Sequence, residues 1–241
     1  MNALSLMKSL NREQWNTFLA SFLGWSLDAF DYFLVTFVTL RIANEFKVGL
    51  PAILFTLTLT LAMRPVGAFI FGLLADRFGR RLPLMIDILF YSIVELLTAF
   101  SPNYTIFLIL RGLFGIGMGG EWGIGASLAM ESLPTEARGL FSGILQQGYA
   151  FGYLLGAVVY YGVFAFFPNF GWRTMFVIGV LPALLVLFIR LGVRESPVWQ
   201  HQRDLQRQAG RSSWQGMWYA IASRPWLFIY VIILMTAFNS L

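Results

Sequence analysis

The chain has 241 residues, 58% of them hydrophobic and 12% charged, with a net charge of +5 and no cysteine. An ordinary soluble domain carries about 25% charged residues, and a soluble fold of this length cannot hide so much apolar surface; the bilayer is therefore the solvent to reason with. Disulfides and thiolate metal sites are excluded, the single His201 lies in a polar connector, and nothing implies a metal or a cofactor.

Residues 1–17 have no short apolar core followed by a small-residue cleavage site, so they read as a retained cytoplasmic lead-in. Apolar runs between charged or proline-containing breaks then predict six spans: Phe18–Leu40, Pro51–Leu74, Leu82–Phe100, Ile106–Met130, Phe141–Phe167 and Trp172–Leu191. These make a bundle over 18–191. A basic connector follows over 192–225, rich in Gln and Arg and amphipathic, and a seventh span opens at Trp226 and is cut short at Leu241.

The first span carries Asp28 and Asp31, three apart and so on neighbouring positions of one helical face. Two adjacent buried carboxylates resist joint ionisation, which lets one of them take up and release a proton as access alternates. Arg64 precedes Pro65 in the second span, as a cavity or latch residue. The connector GLLADRFGRR, 72–81, anchors one face: Asp76 can accept from helix-end amides, Arg77, Arg80 and Arg81 carry the charge, and Gly72 and Gly79 permit close approach and a tight turn. Asp87 and Glu95 in the third span read as structural charges.

In the fourth span, Arg111 and Glu121 stand ten residues apart, about 15 Å along the axis and roughly 80° round it, so they do not pair with each other. Arg111 must meet an acid from another helix or an anionic substrate; Glu121 is a further proton carrier. Gly115, Gly119 and Gly123, like Gly148, Gly152 and Gly156 in the fifth span, recur every fourth residue, the stripe that lets helices pack closely. The run GIGMGG imitates a phosphate loop, but no strand precedes it and no Lys-Ser/Thr follows. Gln146, Gln147, Tyr149 and Tyr153 offer hydrogen bonds to a carboxylate or hydroxyl in a cavity, or to neighbouring helices.

Orientation follows from Lys and Arg placement. Lys8, Arg12, Arg77, Arg80, Arg81, Arg138, Arg190, Arg194, Arg203, Arg207, Arg211 and Arg224 fall on one side, and Arg41, Lys47 and Arg173 on the other. The first set is cytoplasmic, which fits a bacterial inner membrane with the amino terminus inside. Because the basic residues are split among connectors, the net charge has a topological cause and gives no reason to expect nucleic-acid binding.

Six spans, a long polar connector and another span are the layout of an all-α transporter made of two six-helix halves, each of inverted three-helix repeats. The loop at 72–81 resembles the G-x-L-x-D-R-x-G-R-R/K loop of the major facilitator superfamily, whose Asp and Arg form a cytoplasmic latch. Arg111 and its glycines resemble that family's R-x-x-x-G-x-G motif, associated with proton-coupled members. GWSLDAFDYF at 24–33, GIGMGGEWGIGASLAMESLP at 115–134 and RESPVW at 194–199 are similar to the sialate:proton symporter family, and GGEWGIGASLAME with QQGYAFGYL to its monocarboxylate branch. MTAFNSL resembles the approach to that branch's seventh-helix motif, with Asn239 its first residue and a substrate contact.

The resemblance implies symport of a proton and a small organic anion, such as lactate, pyruvate or sialic acid. Arg111 and the seventh helix would bind the anion, and the carboxy-terminal half of the same transporter would complete the cavity. A related family handling citrate, shikimate or betaine-like solutes is the nearest rival, and a non-transporting membrane sensor a more distant one. A membrane enzyme is excluded for want of a nucleophile–base or metal constellation.

Overall fold

The computed structural model describes residues 3–167, 171–208, 222–227 and 229–230. Asn239 and most of the seventh span lie outside the described residues, as do residues 209–221 of the 192–225 connector. The described elements are all helices: α1 (Ala3–Ser9), α2 (Arg12–Phe46), α3 (Leu50–Phe78), α4 (Arg81–Ala99), α5 (Tyr104–Ser132), α6 (Arg138–Phe166), α7 (Arg173–Ile178), α8 (Ala183–Gly192) and α9 (Pro197–Gln208). Residues 1–198 form one compact unit; the rest, including most of α9, forms a second.

α2, α3 and α5 run past the predicted spans, and polar caps fix the starts of α2 and α5. Asn11 caps α2 by accepting from Gln14 N at 2.8 Å, while Gln14 Oε1 accepts from Asn11 N at 3.0 Å, a reciprocal capping box. Asn103 caps α5 through Ile106 N at 3.0 Å. Pro51 stands in the first turn of α3, where its missing N–H costs nothing.

The sixth span departs from the expected single helix. It is broken between α7 and α8, around Gly179–Pro182. Pro182 cannot donate to the carbonyl four residues back; Ile178 O instead accepts from Leu181 N at 3.0 Å, and Val177 O from Val180 N at 3.2 Å.

Five helical stretches are long and apolar enough to cross a membrane: α2, α3, α4, α6 and the α7–α8 stretch. The helix missing from that set is α5, which carries Arg111 and Glu121 and lies inside the bundle, packed against α2, α3 and α4. The α3–α5 contact is backbone to backbone. A Cβ on Gly115 would run into the Thr60 carbonyl and one on Gly119 into that of Arg64. Gly152 does the same for α6 against Ser26 of α2, so most of the small-residue stripe packs as expected. Gly123 is the exception: nothing lies within 4 Å of its Cβ position. Phe69 of α3 and Leu154, Val158 and Tyr161 of α6 stay exposed, while Trp172, Phe107 and Phe176 form an edge-on aromatic core. Apolar outer faces around a partly polar interior are what a bilayer solvent requires.

Candidate functional site

The site is built where α2, α4 and α5 meet. Asp28, Asp31, Asp87, Glu95, Arg111 and Glu121 are each at most 2% exposed. On insertion scales an ionisable group at mid-membrane costs about 2.5–3.5 kcal/mol. Such a group persists only with a partner or a use.

Arg111 has its partner. Its Nη2 donates to Glu95 Oε2 of α4 and, at 3.1 Å, to Thr98 Oγ1. The guanidinium lies 4.5 Å from the Phe114 ring centroid and 5.2 Å from that of Phe176. A buried pair walled by rings is a fixed feature of this conformation. The acid comes from another helix, as one of the two readings of Arg111 expected, and that helix is the third span.

The other acids form no ion pair among the described residues. Both carboxylate oxygens of Asp28, Asp31 and Asp87 are buried without a hydrogen-bond partner among those residues, whereas Glu121 has the Tyr91 hydroxyl beside it as a donor. The first-span pair shares its acidic neighbours and differs in its cations: Asp28 lies in the field of Glu121, Arg64 and Glu95, and Asp31 in that of Glu95, Asp28, Arg111 and Glu121. Asp87 lies in the field of Glu121 and Asp28 and forms no ion pair among the described residues.

Two glycines make this crowding possible. A Cβ on Gly24 would collide with Glu121 Oε1, and one on Gly179, at the break between α7 and α8, would come within 2.9 Å of Asp31 Oδ1 and 2.7 Å of Glu95 Cγ. Their importance was invisible in the sequence, where neither belongs to a repeated small-residue spacing.

Along α6, Gln146 and Gln147 are exposed. Tyr149 and Tyr153 turn towards α2, where their rings meet Phe33 at 5.2 and 4.9 Å.

At the end of the bundle that gathers the basic connectors, the 72–81 loop closes with Gly79 at φ 100, a left-handed geometry that suits glycine. Arg80 binds Asp76 at 2.6 Å and Glu131 at 3.4 Å. Glu195, quoted above only within a family string, accepts from the backbone amides of Arg80 at 2.8 Å and Arg81 at 3.1 Å, and Arg81 Nη2 donates to Arg190 O. Arg77 stacks on Phe78, 5.2 Å from its ring centroid. Gly72 permits no close approach; with Gly123, Asp76 and Arg80 it lines an open hollow of about 200 Å³ between α3 and α5.

At the opposite end Arg173 donates to Ala99 O, Ser101 O and, at 2.6 Å, Glu45 Oε1. In the sequence Arg173 is legible only as a topology marker.

Residues 12–224 match the family model described as sugar (and other) transporter. The chain is 34% identical over 207 residues to a probable 4-methylmuconolactone transporter of Cupriavidus pinatubonensis, covering 86% of this chain and 48% of that protein. It is 32% identical to the sialic acid transporter NanX of Escherichia coli, covering 82% of this chain and 48% of the relative. Among solved structures it resembles the partially occluded inward-open xylose transporter XylE of E. coli, with 25% identity and a TM-score of 0.73 over 83% of this chain and 52% of that one. The chain spans about half the length of the curated relatives it matches.

Proposed function

Because this chain belongs to the sugar (and other) transporter family, a branch of the major facilitator superfamily, we propose that it carries a small organic anion together with protons by alternating access. It does so as one six-helix half of a two-bundle carrier in a bacterial inner membrane, with the amino terminus and the 72–81 loop cytoplasmic. The transported class includes monocarboxylates such as lactate and pyruvate, and sialic acid.

The observation that carries this reading is the set of buried carboxylates at Asp28, Asp31 and Glu121, the first two without a hydrogen-bond donor among the described residues. Acids without donors serve no packing purpose, and a purely structural bundle would be more stable without them. Their use is to bind protons from one side and release them to the other. Neutralisation matters for an anion carrier, since each charge moved through the full potential is worth about 2.3 kcal/mol per 100 mV. The names of the relatives, a methylmuconolactone and a sialic acid carrier, fit an organic acid or its lactone. The Arg80, Asp76, Glu131 and Glu195 cluster supports a role for the loop as a latch that holds this end of the bundle in one state.

The test is uptake of labelled lactate, sialate and citrate into cells expressing this chain joined to a second six-helix half, with and without an imposed inward proton gradient. Gradient-driven uptake of one acid, lost in Asp31→Asn or Glu121→Gln while exchange of internal for external substrate persists, is the expected result. Uptake of every acid that ignores the gradient overturns proton coupling.

A further inference from the structure

We infer that the anion anchor of this bundle is Arg64 of α3, at the end of an aromatic row that selects planar, ring-bearing carboxylates over short aliphatic ones. This rests on the organic-anion reading above and narrows its substrate class.

Two arginines lie within the spans at the level of the acids, and they differ in what they have left to give. Arg111 is 1% exposed, with its charge met by Glu95. Arg64 is half-buried and forms no ion pair within 4.0 Å among the described residues. An arginine that deep in a membrane protein either pairs or serves a ligand, and its fork matches a carboxylate edge-on.

The surroundings of Arg64 are aromatic. Its guanidinium carbon lies 5.6 Å from the centroid of the Trp25 ring, and its field reaches Asp28, Tyr32 and Tyr149. Trp25 stands 5.5 Å from Tyr149 and 6.1 Å from Trp122. The row continues through Phe33, 5.2 Å from Tyr149, to Tyr153 at 4.9 Å, and Tyr153 is 48% exposed.

A second, independent feature points to a ligand. Trp25 is 8% exposed, yet its indole Nε1–H has no acceptor among the described residues, although buried indoles usually find one. A carboxylate bound by Arg64 beside this ring would supply it. Guanidinium and indole N–H would then hold the acid group while the attached ring lies against the row of aromatic faces. Lactate would use the anchor and leave the row idle.

The site lies wholly on α2, α3, α5 and α6, so the chain itself in lipid nanodiscs suffices for the test, by equilibrium dialysis with labelled benzoate, nicotinamide and lactate. Benzoate is expected to bind more tightly than lactate, and neutral nicotinamide not at all. Arg64→Gln should weaken benzoate about tenfold to a hundredfold, as loss of a charge-assisted pair does, and Trp25→Phe, which keeps an aromatic face but loses the N–H with its five-membered ring, about two- to tenfold. Arg64→Lys, which keeps the charge and protects the fold, should retain part of the affinity. Benzoate binding unchanged in both Arg64→Gln and Trp25→Phe overturns the site, even where gradient-driven uptake of an acid upholds the carrier. Equal affinity for lactate and benzoate, both lost in Arg64→Gln, overturns the ring preference. No binding of either acid to the folded chain overturns the placement of the anchor in this bundle.

Discussion

Glu95 and Arg111 face each other from α4 and α5 at the centre of the bundle, 16 residues apart in sequence and both nearly inaccessible. The pairing engages the Arg111 guanidinium with Glu95 and leaves Asp31 in the field of both. Asp28 and Asp31 of α2 and Arg64 of α3, by contrast, form no ion pair among the described residues.

Removing one member of that pair strands the other in a dry site, at a cost of about 3–5 kcal/mol. Glu95→Gln and Arg111→Gln should each destabilise the chain by that order, and the double variant by clearly less than their sum. Denaturant unfolding in mixed micelles gives the cycle. Additive losses would mean that the two side chains do not depend on each other.

Close helix approach yields a sharper contrast. Gly115 and Gly123 occupy the same stripe of α5, but a Cβ on Gly115 meets the Thr60 backbone whereas one on Gly123 meets nothing. Overpacking costs about 1–3 kcal/mol, so Gly115→Ala should lower the unfolding midpoint. Gly123→Ala should leave it unchanged or raise it slightly through better helix propensity. Equal effects at the two positions would contradict the packing.

That contrast also marks how far the sequence could be read. Span number and position follow from run length and charged breaks: each predicted span falls on a described helix, the sixth on two, while α2 runs well past its predicted span at both ends. Which face of α5 meets α3 depends on helix rotation, and equal spacing cannot separate Gly115 from Gly123. Partner choice failed for the same reason: Glu95 and Asp31 both suit Arg111 chemically, and only the fold decides between them. The break at Pro182 was legible in principle, since proline inside an apolar run stops a helix, but hydropathy alone reads through it. Orphan groups such as Trp25 Nε1 have no sequence signal at all.

The end of the bundle opposite the basic connectors is tied by Arg173, which joins the last turn of α4 to Glu45 near the end of α2. Trp172 Nε1 donates to the same carboxylate at 2.5 Å. Arg173→Ala leaves the Ala99 and Ser101 carbonyls without this donor, a loss of about 1–3 kcal/mol. Amide exchange should accelerate at the end of α4 and the start of α7 and stay unchanged in α8. Uniform acceleration across the chain would show global destabilisation in place of a local clamp.

At the other end the first turn of α4 has no side-chain cap of its own. Glu195 substitutes from beyond α8, taking the Arg80 and Arg81 amides on its two oxygens, where the helix dipole favours an anion. Glu195→Ala should therefore cost about 1–2 kcal/mol, the usual loss for a cap. Gly79→Ala carries two penalties: a Cβ at φ 100, worth about 1–2 kcal/mol, and a collision of that Cβ with the Glu195 carboxylate, which displaces the cap. With Glu195 already absent only the first penalty remains, so the double variant should be less destabilised than the sum of the singles. Unfolding midpoints of the three variants decide it. Strict additivity would show that the carboxylate evades the new methyl without giving up the amides, and that Gly79 is required for its backbone angle alone.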